Sequence, residues 1–256
     1  MYSAYFDVLC GTKQGGILSP DFFSVYINDL IIFLRKKGIG CHILRTFIAC
    51  ILFADDMTLI APTCQSMQQM LDICADYCNQ FCLQFNFAKT KVMVFGKLSR
   101  SVSSISKISL QGISIDFVTK CKYLGFNIVS CLHFQLSINE DLGNFFASAN
   151  SVLNSTTKPM ENVLMQLLFS NCVPRLTYGA AVKDLNLSEK QQVNVAVNNA
   201  IRRIFKFRQW QSIRQLREFY GFKPIEVLFE ISRKRFFRAL PYHCNALLRF
   251  LSSLEV

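Results

Sequence analysis

Two short apolar runs, Phe47-Ile48-Ala49-Cys50-Ile51-Leu52 and Met57-Thr58-Leu59-Ile60-Ala61, bracket Phe53-Ala54-Asp55-Asp56. Short runs rich in β-favouring residues predict two strands, with the acids at the tip of a buried hairpin. The pattern before this hairpin is helical. Phe22, Phe23, Tyr26, Ile27, Leu30, Ile31 and Leu34 predict a helix ending near Lys37, with Ser19 as cap, Pro20 in the first turn and Gly38 as the stop. After the hairpin, Met67, Met70, Leu71, Cys74, Cys78 and Phe81 form one stripe. They predict a helix over 66–81, with Ser66 and Gln69 as a capping box.

Shorter strands are expected at 5–9 and 91–95, and as hairpins around Gln111-Gly112 and Tyr123-Leu124-Gly125. The Ser-rich stretch 97–107 reads as a loop. From about Leu136 the spacing is helical to the end. One helix covers 138–153, a second covers 160–172 and is broken by Pro174, and a third covers 188–205 with Ser188 as its cap. This is an α+β chain, with small antiparallel sheets and packed helices first and an all-helical region after. Three regions are expected, at 1–131, 132–187 and 188–256.

Hydrophobic residues make up 51% of the 256, enough for a sizeable core. The formal charge of +11 is concentrated at one end. Residues 1–200 hold 16 Lys and Arg against 13 Asp and Glu, whereas 201–256 hold 12 against 4. Such an end suits a polyanion, nucleic acid first and an acidic membrane surface second. Arg202, Arg203, Arg208, Arg214, Arg217, Arg233, Lys234 and Arg235 are the candidate contacts, interleaved with Phe, Tyr and Trp side chains that could stack on bases. The 11 cysteines include no Cys-x-x-Cys pair and read as small apolar residues of a reducing compartment. No apolar run approaches the roughly 20 residues that cross a bilayer, and the first residues lack a signal-peptide layout.

The acidic pair is the strongest chemical signal. Two adjacent carboxylates between apolar strands cost several kcal/mol if buried without a counter-charge. Hard oxygen donors of this kind suit Mg²⁺, so Asp55 and Asp56 are read as metal ligands.

Phe-Ala-Asp-Asp resembles the catalytic box of reverse transcriptases. Gln14-Gly15-Gly16-Ile17-Leu18-Ser19-Pro20, followed by Tyr26-Ile27-Asn28-Asp29-Leu30, resembles the segment that precedes that box in reverse transcriptases of non-LTR retrotransposons. The two motifs stand in that family's order. The resemblance implies a partial polymerase palm, then a helical thumb and basic C-terminal helices. It implies catalytic Asp55 and Asp56, two Mg²⁺ ions in the intact parent, and contact of Gln14, Gly15 and Gly16 with the incoming nucleotide. Phe53 would border the primer end. Asn86-Phe87-Ala88-Lys89-Thr90 is similar to the next motif and makes Lys89 the group near the leaving pyrophosphate. Tyr123-Leu124-Gly125 resembles the primer grip.

The implied partners are an RNA template, a DNA primer, deoxynucleoside triphosphates and the upstream part of the parent polypeptide, with no membrane. The implied location is intracellular, in cytoplasm and nucleus. In the family a further essential Asp lies on a strand well before the Gln-Gly-Gly segment. Asp7 is too near Gln14 to take that role. The chain therefore reads as the C-terminal piece of a longer reading frame, inactive alone. The alternative is a non-catalytic nucleic-acid-binding remnant of a decayed retroelement.

Overall fold

The computed structural model describes residues 15–100, 107–154 and 159–254, apart from the side chains of Leu98 and Arg100. It is α+β, with helices and small antiparallel sheets. The described residues fall into two compact units. One lies within Met1–Val94 and Arg100–Val118, the other within Phe95–Ser99 and Thr119–Val256.

The first unit opens with helix α1, Ser19–Lys37. Its face Ile27, Leu30 and Leu34 is buried, and burying each such side chain stabilises by about 1.5–3 kcal/mol. Gly38 ends the helix at φ +66°, the left-handed stop expected of it. Hairpins β1 (His42–Ile43) to β2 (Thr46–Phe47) and β3 (Cys50–Phe53) to β4 (Asp56–Leu59) follow. Gly40 lets the chain pass under the core, because a Cβ there would stand 2.3 Å from that of buried Ala49.

Helix α2, Cys64–Gln80, packs on α1 through Met70, Cys74 and Tyr77. The Tyr77 hydroxyl donates to the Tyr26 carbonyl at 2.6 Å. Gln68 then pairs with both backbone groups of Ser109 at 2.9 Å, tying α2 to hairpin β5 (Ser109–Leu110) to β6 (Ile113–Ser114).

The second unit holds a three-stranded sheet, β7 (Lys120–Tyr123), β8 (Phe126–Val129) and β9 (Gln135–Ser137). Helices α3 (Asn139–Leu153), α4 (Glu161–Leu167), α5 (Val173–Thr177), α6 (Leu187–Ile204), α7 (Arg214–Tyr220), α8 (Ile225–Ala239) and α9 (Ala246–Ser253) complete it. Phe145, Met165, Leu168, Val197 and Ile201 lie at its centre with almost no exposure.

Several local expectations are corrected. Thr63, not Ser66, caps α2, because its side chain accepts from the Ser66 amide. Of the cysteines expected to serve as small apolar residues, Cys74 and Cys78 are buried, whereas Cys82, beyond α2, is exposed. Burial pushes the Cys50 thiol up to about 11 and raises Cys74 and Cys78 as well, as suits cysteines that pack as apolar groups. The strand expected over 91–95 reduces to one bridge, Val92 to Phe117. The helix expected over 160–172 contains a wide π turn, Leu168–Cys172, and Pro174 then sits in the first turn of α5, where a missing N–H costs little. Asn186, with Glu189, caps α6 in place of Ser188. The strand expected over 5–9 lies outside the described residues, as does most of the 97–107 loop. Lys97–Arg100 is a single 3-10 turn.

Candidate active site

The acidic pair sits on a two-residue hairpin connection of the first unit, as short as those of the β1–β2 and β5–β6 hairpins. Strands β3 and β4 pair Cys50 with Leu59 through to Phe53 with Asp56, leaving only Ala54 and Asp55 for the turn. Ala54 takes φ +50°, where such turns usually place glycine. That conformation costs on the order of 1–3 kcal/mol and persists because the ladder on both sides dictates it. Asp55 thus occupies the turn itself and Asp56 the first rung.

The alternating pattern along β3 turns Cys50 and Leu52 inward and Ile51 and Phe53 outward. The expected burial of the tip is overturned. Phe53 is 60% exposed, and Ala54, Asp55 and Asp56 are exposed as well. Two open carboxylates on a strained two-residue turn are suitable hard-oxygen donors for Mg²⁺. They could supply two such donors; among the described residues no three His, Cys, Asp or Glu side chains converge.

Gly15 and Gly16 precede α1. Gly15 is exposed at φ +78°, and a Cβ there would meet nothing within 4 Å. A ligand could therefore approach that backbone closely. Gln14 lies outside the described residues. Lys89 is on the loop after α2, where Asn86 folds the chain back on itself. The Asn86 side chain accepts from the Lys89 amide at 3.2 Å, and its carbonyl accepts from the Thr90 amide at 2.9 Å. This turn leaves Lys89 exposed, while Lys91 pairs with Asp116 at 3.0 Å. The Asp turn, the glycines and Lys89 thus belong to one unit.

Tyr123, Leu124 and Gly125 belong to the second unit. Leu124 and Gly125 form the β7–β8 turn at φ +47° and +80°. A clamp that sequence reasoning missed holds this turn. The Tyr178 hydroxyl donates to the Leu124 carbonyl at 2.9 Å, and its ring lies 5.3 Å from that of Phe126. Gly179 is needed there, because a Cβ would fall 2.1 Å from Phe126 Cε1. Behind it, Lys183 Nζ donates to Asp141 Oδ2 at 2.8 Å in a buried ion pair. A lone lysine after Ala180-Ala181-Val182 was the available sequence signal.

The Tyr123 hydroxyl is buried and has no hydrogen-bond partner among the described residues. An orphaned donor costs roughly 1–3 kcal/mol, so Tyr123→Phe is expected to raise stability by about 1 kcal/mol. Urea unfolding measures this, and a loss of that size would show that the hydroxyl is in use.

The basic residues divide into two kinds. Arg202 donates to Asn199 and to the Gln211 carbonyl, and Arg203 to Asn150. Arg214 pairs with Glu218, and Arg233 with Asp184. Arg217 donates to Asn194 and Asn198, and burial holds its guanidinium below the usual arginine range despite nearby Glu226. Arg208, Lys234 and Arg235 remain exposed with no ion pair among the described residues. No described helix is long and apolar enough to cross a membrane.

With the Asp turn and the glycine loop in one unit, comparison with known proteins gives the class. Residues 4–128 match the family described as reverse transcriptase (RNA-dependent DNA polymerase). More particularly, the chain is 22% identical over 201 residues to the Retrovirus-related Pol polyprotein from type-2 retrotransposable element R2DM of Drosophila melanogaster, covering 75% of this chain and 18% of that protein. It is also 27% identical over 157 residues to a transposon-derived protein of Caenorhabditis elegans, covering 59% of this chain and 54% of that one. The non-LTR retrotransposon kinship expected from the Gln-Gly-Gly segment is borne out. The chain spans about a fifth of the first relative and about half of the second.

Proposed function

We propose that this chain supplies the metal-binding turn, nucleotide-facing loop and primer-holding hairpin of an RNA-directed DNA polymerase that serves retrotransposition. The observation that carries the reading is the exposed Asp55-Asp56 pair on a two-residue turn, within the segment that matches the reverse transcriptase family.

In this reading residues 1–131 are a partial palm. Residues 132–187 act as a thumb and 188–256 as a basic extension, with Arg202, Arg203, Arg208, Arg214, Arg217, Arg233, Lys234 and Arg235 toward nucleic acid. Asp55 and Asp56 hold one face of a pair of Mg²⁺ ions, which would lower the charge cost of an in-line displacement at the nucleotide phosphate. Gln14, Gly15 and Gly16 bring backbone close to the nucleotide, and Phe53 borders the primer end. Lys89 offers a cation, or a proton, to the departing pyrophosphate. Tyr123, Leu124 and Gly125 grip the primer. The partners are an RNA template, a DNA primer, deoxynucleoside triphosphates and an upstream polymerase segment bringing the further carboxylate.

A second reading, a nucleic-acid-binding segment without chemistry, is favoured by one fact. No third acidic ligand joins Asp55 and Asp56 among the described residues. Primer extension on an RNA template separates the two. Residues 1–256 alone are expected to bind template–primer without extending it, and to extend it once joined to a segment that supplies the carboxylate. Extension by 1–256 above the level of its Asp55→Ala/Asp56→Ala variant would show that the site needs no such segment. No extension by the joined protein would favour the second reading.

A further inference from the structure

The chain has one tryptophan, and the fold spends it on the surface. Trp210 is 76% exposed, although a buried indole would stabilise the fold far more. Its position is also built rather than incidental. The turn Arg208-Gln209-Trp210-Gln211 is closed by the Gln211 amide donating to the Arg208 carbonyl at 3.0 Å. It is closed a second time by the Arg208 amide donating to Gln211 Oε1 at 2.7 Å.

Arg202 Nε, on α6, donates to the Gln211 carbonyl at 3.2 Å and fixes the turn to the helix. On either side Phe207 packs on the core and Ile213 is buried within it. Arg202, with Nε on the Gln211 carbonyl and Nη1 on Asn199 Oδ1, is therefore a brace for this turn. The Arg208 guanidinium lies 5.3 Å from the Trp210 ring centroid. It covers part of the indole and leaves most of the ring to solvent.

We propose that Trp210 and Arg208 form a stacking platform for an unpaired base of single-stranded nucleic acid, with the guanidinium also meeting the adjoining phosphate. The chemistry favours this occupant. An open indole face accepts any base by stacking, and a cation beside it favours a polyanion over an apolar or basic protein surface. Exposed Lys206 adds to the charge on the same short connection. A duplex offers its bases no free face, so the platform discriminates in favour of single strands. The inference rests on the reading of the basic end as a nucleic-acid surface.

Because Trp210 is the sole tryptophan, its fluorescence in residues 1–256 reports on the platform alone. The probe is an oligothymidine single strand, compared with a duplex of equal length, while the anisotropy of a labelled oligonucleotide reports total binding. The expected result is saturable quenching by the single strand, weakened by salt, with much less by the duplex. Trp210→Ala, an exposed position whose change leaves the core untouched, is expected to weaken single-strand binding roughly 10-fold or more, and Trp210→Phe to keep most of it.

Single-strand binding seen by anisotropy, with no quenching and no loss in Trp210→Ala, would overturn the platform and leave the nucleic-acid reading standing. No binding of either probe would overturn that reading and the platform with it. Equal quenching by the duplex would overturn the single-strand assignment.

Discussion

In a polypeptide that extends primers, Asp55→Ala is expected to lower RNA-templated synthesis by roughly 10³-fold or more, with template–primer affinity little changed. Asp55 occupies the turn between two paired strands and makes no core contact, so its loss leaves the hairpin intact. What is lost is one of two adjacent oxygen donors. Mg²⁺ demands near-ideal octahedral geometry and takes few protein carboxylates, so each one counts. Removing several kcal/mol of charge stabilisation gives the stated loss, since 1.36 kcal/mol is tenfold in rate. Steady-state extension at saturating nucleotide measures it. A variant that kept a tenth of the activity would take Asp55 out of the metal shell.

The largest expected effect on stability is in the second unit. Lys183→Ala strands Asp141 in a site where the lysine side chain is 2% exposed and the aspartate 12%. Breaking such a pair costs on the order of 3–5 kcal/mol, because one charge stays buried without its partner. The melting temperature of the second unit should fall by roughly 10 °C. The double variant Lys183→Met/Asp141→Leu removes both charges and should recover most of the loss. Hydrogen exchange adds a second readout. Lys183 Nζ lies 5.8 Å from the Phe126 ring, so the single variant should also quicken exchange at the Leu124-Gly125 turn. Unchanged melting in Lys183→Ala would mean that the pair is solvated in solution.

How much of this could be read beforehand depended on how local the determining contacts are. The β3–β4 hairpin, α1 with its Gly38 stop and the two turns at Gln111-Gly112 and Leu124-Gly125 were legible, because the residues that set them are neighbours in sequence. The exposure of Phe53-Ala54-Asp55-Asp56 was not. Continuous apolar runs imply two covered faces, but Ile51 and Phe53 point away from the core that Cys50 and Leu52 enter. The strand over 91–95 failed because its β-favouring composition finds a partner only at Val92.

Charge counting located the basic end but could not show that Arg202, Arg203 and Arg217 are held by asparagine and glutamine groups of the fold. The Lys183–Asp141 pair and the Tyr178 clamp join residues far apart in sequence, and no local pattern announces such contacts.

In the proposed function Asp55 and Asp56 bind a divalent ion at the β3–β4 turn. Mn²⁺ accepts the same carboxylate donors as Mg²⁺ and broadens the amide signals of residues near it. Titrated into residues 1–256, Mn²⁺ is predicted to broaden the amides of residues 53–57 first. Excess Mg²⁺ should reverse the effect, and Asp55→Asn/Asp56→Asn should abolish it. Broadening that spares this turn, or that persists unchanged in the double variant, would contradict the account.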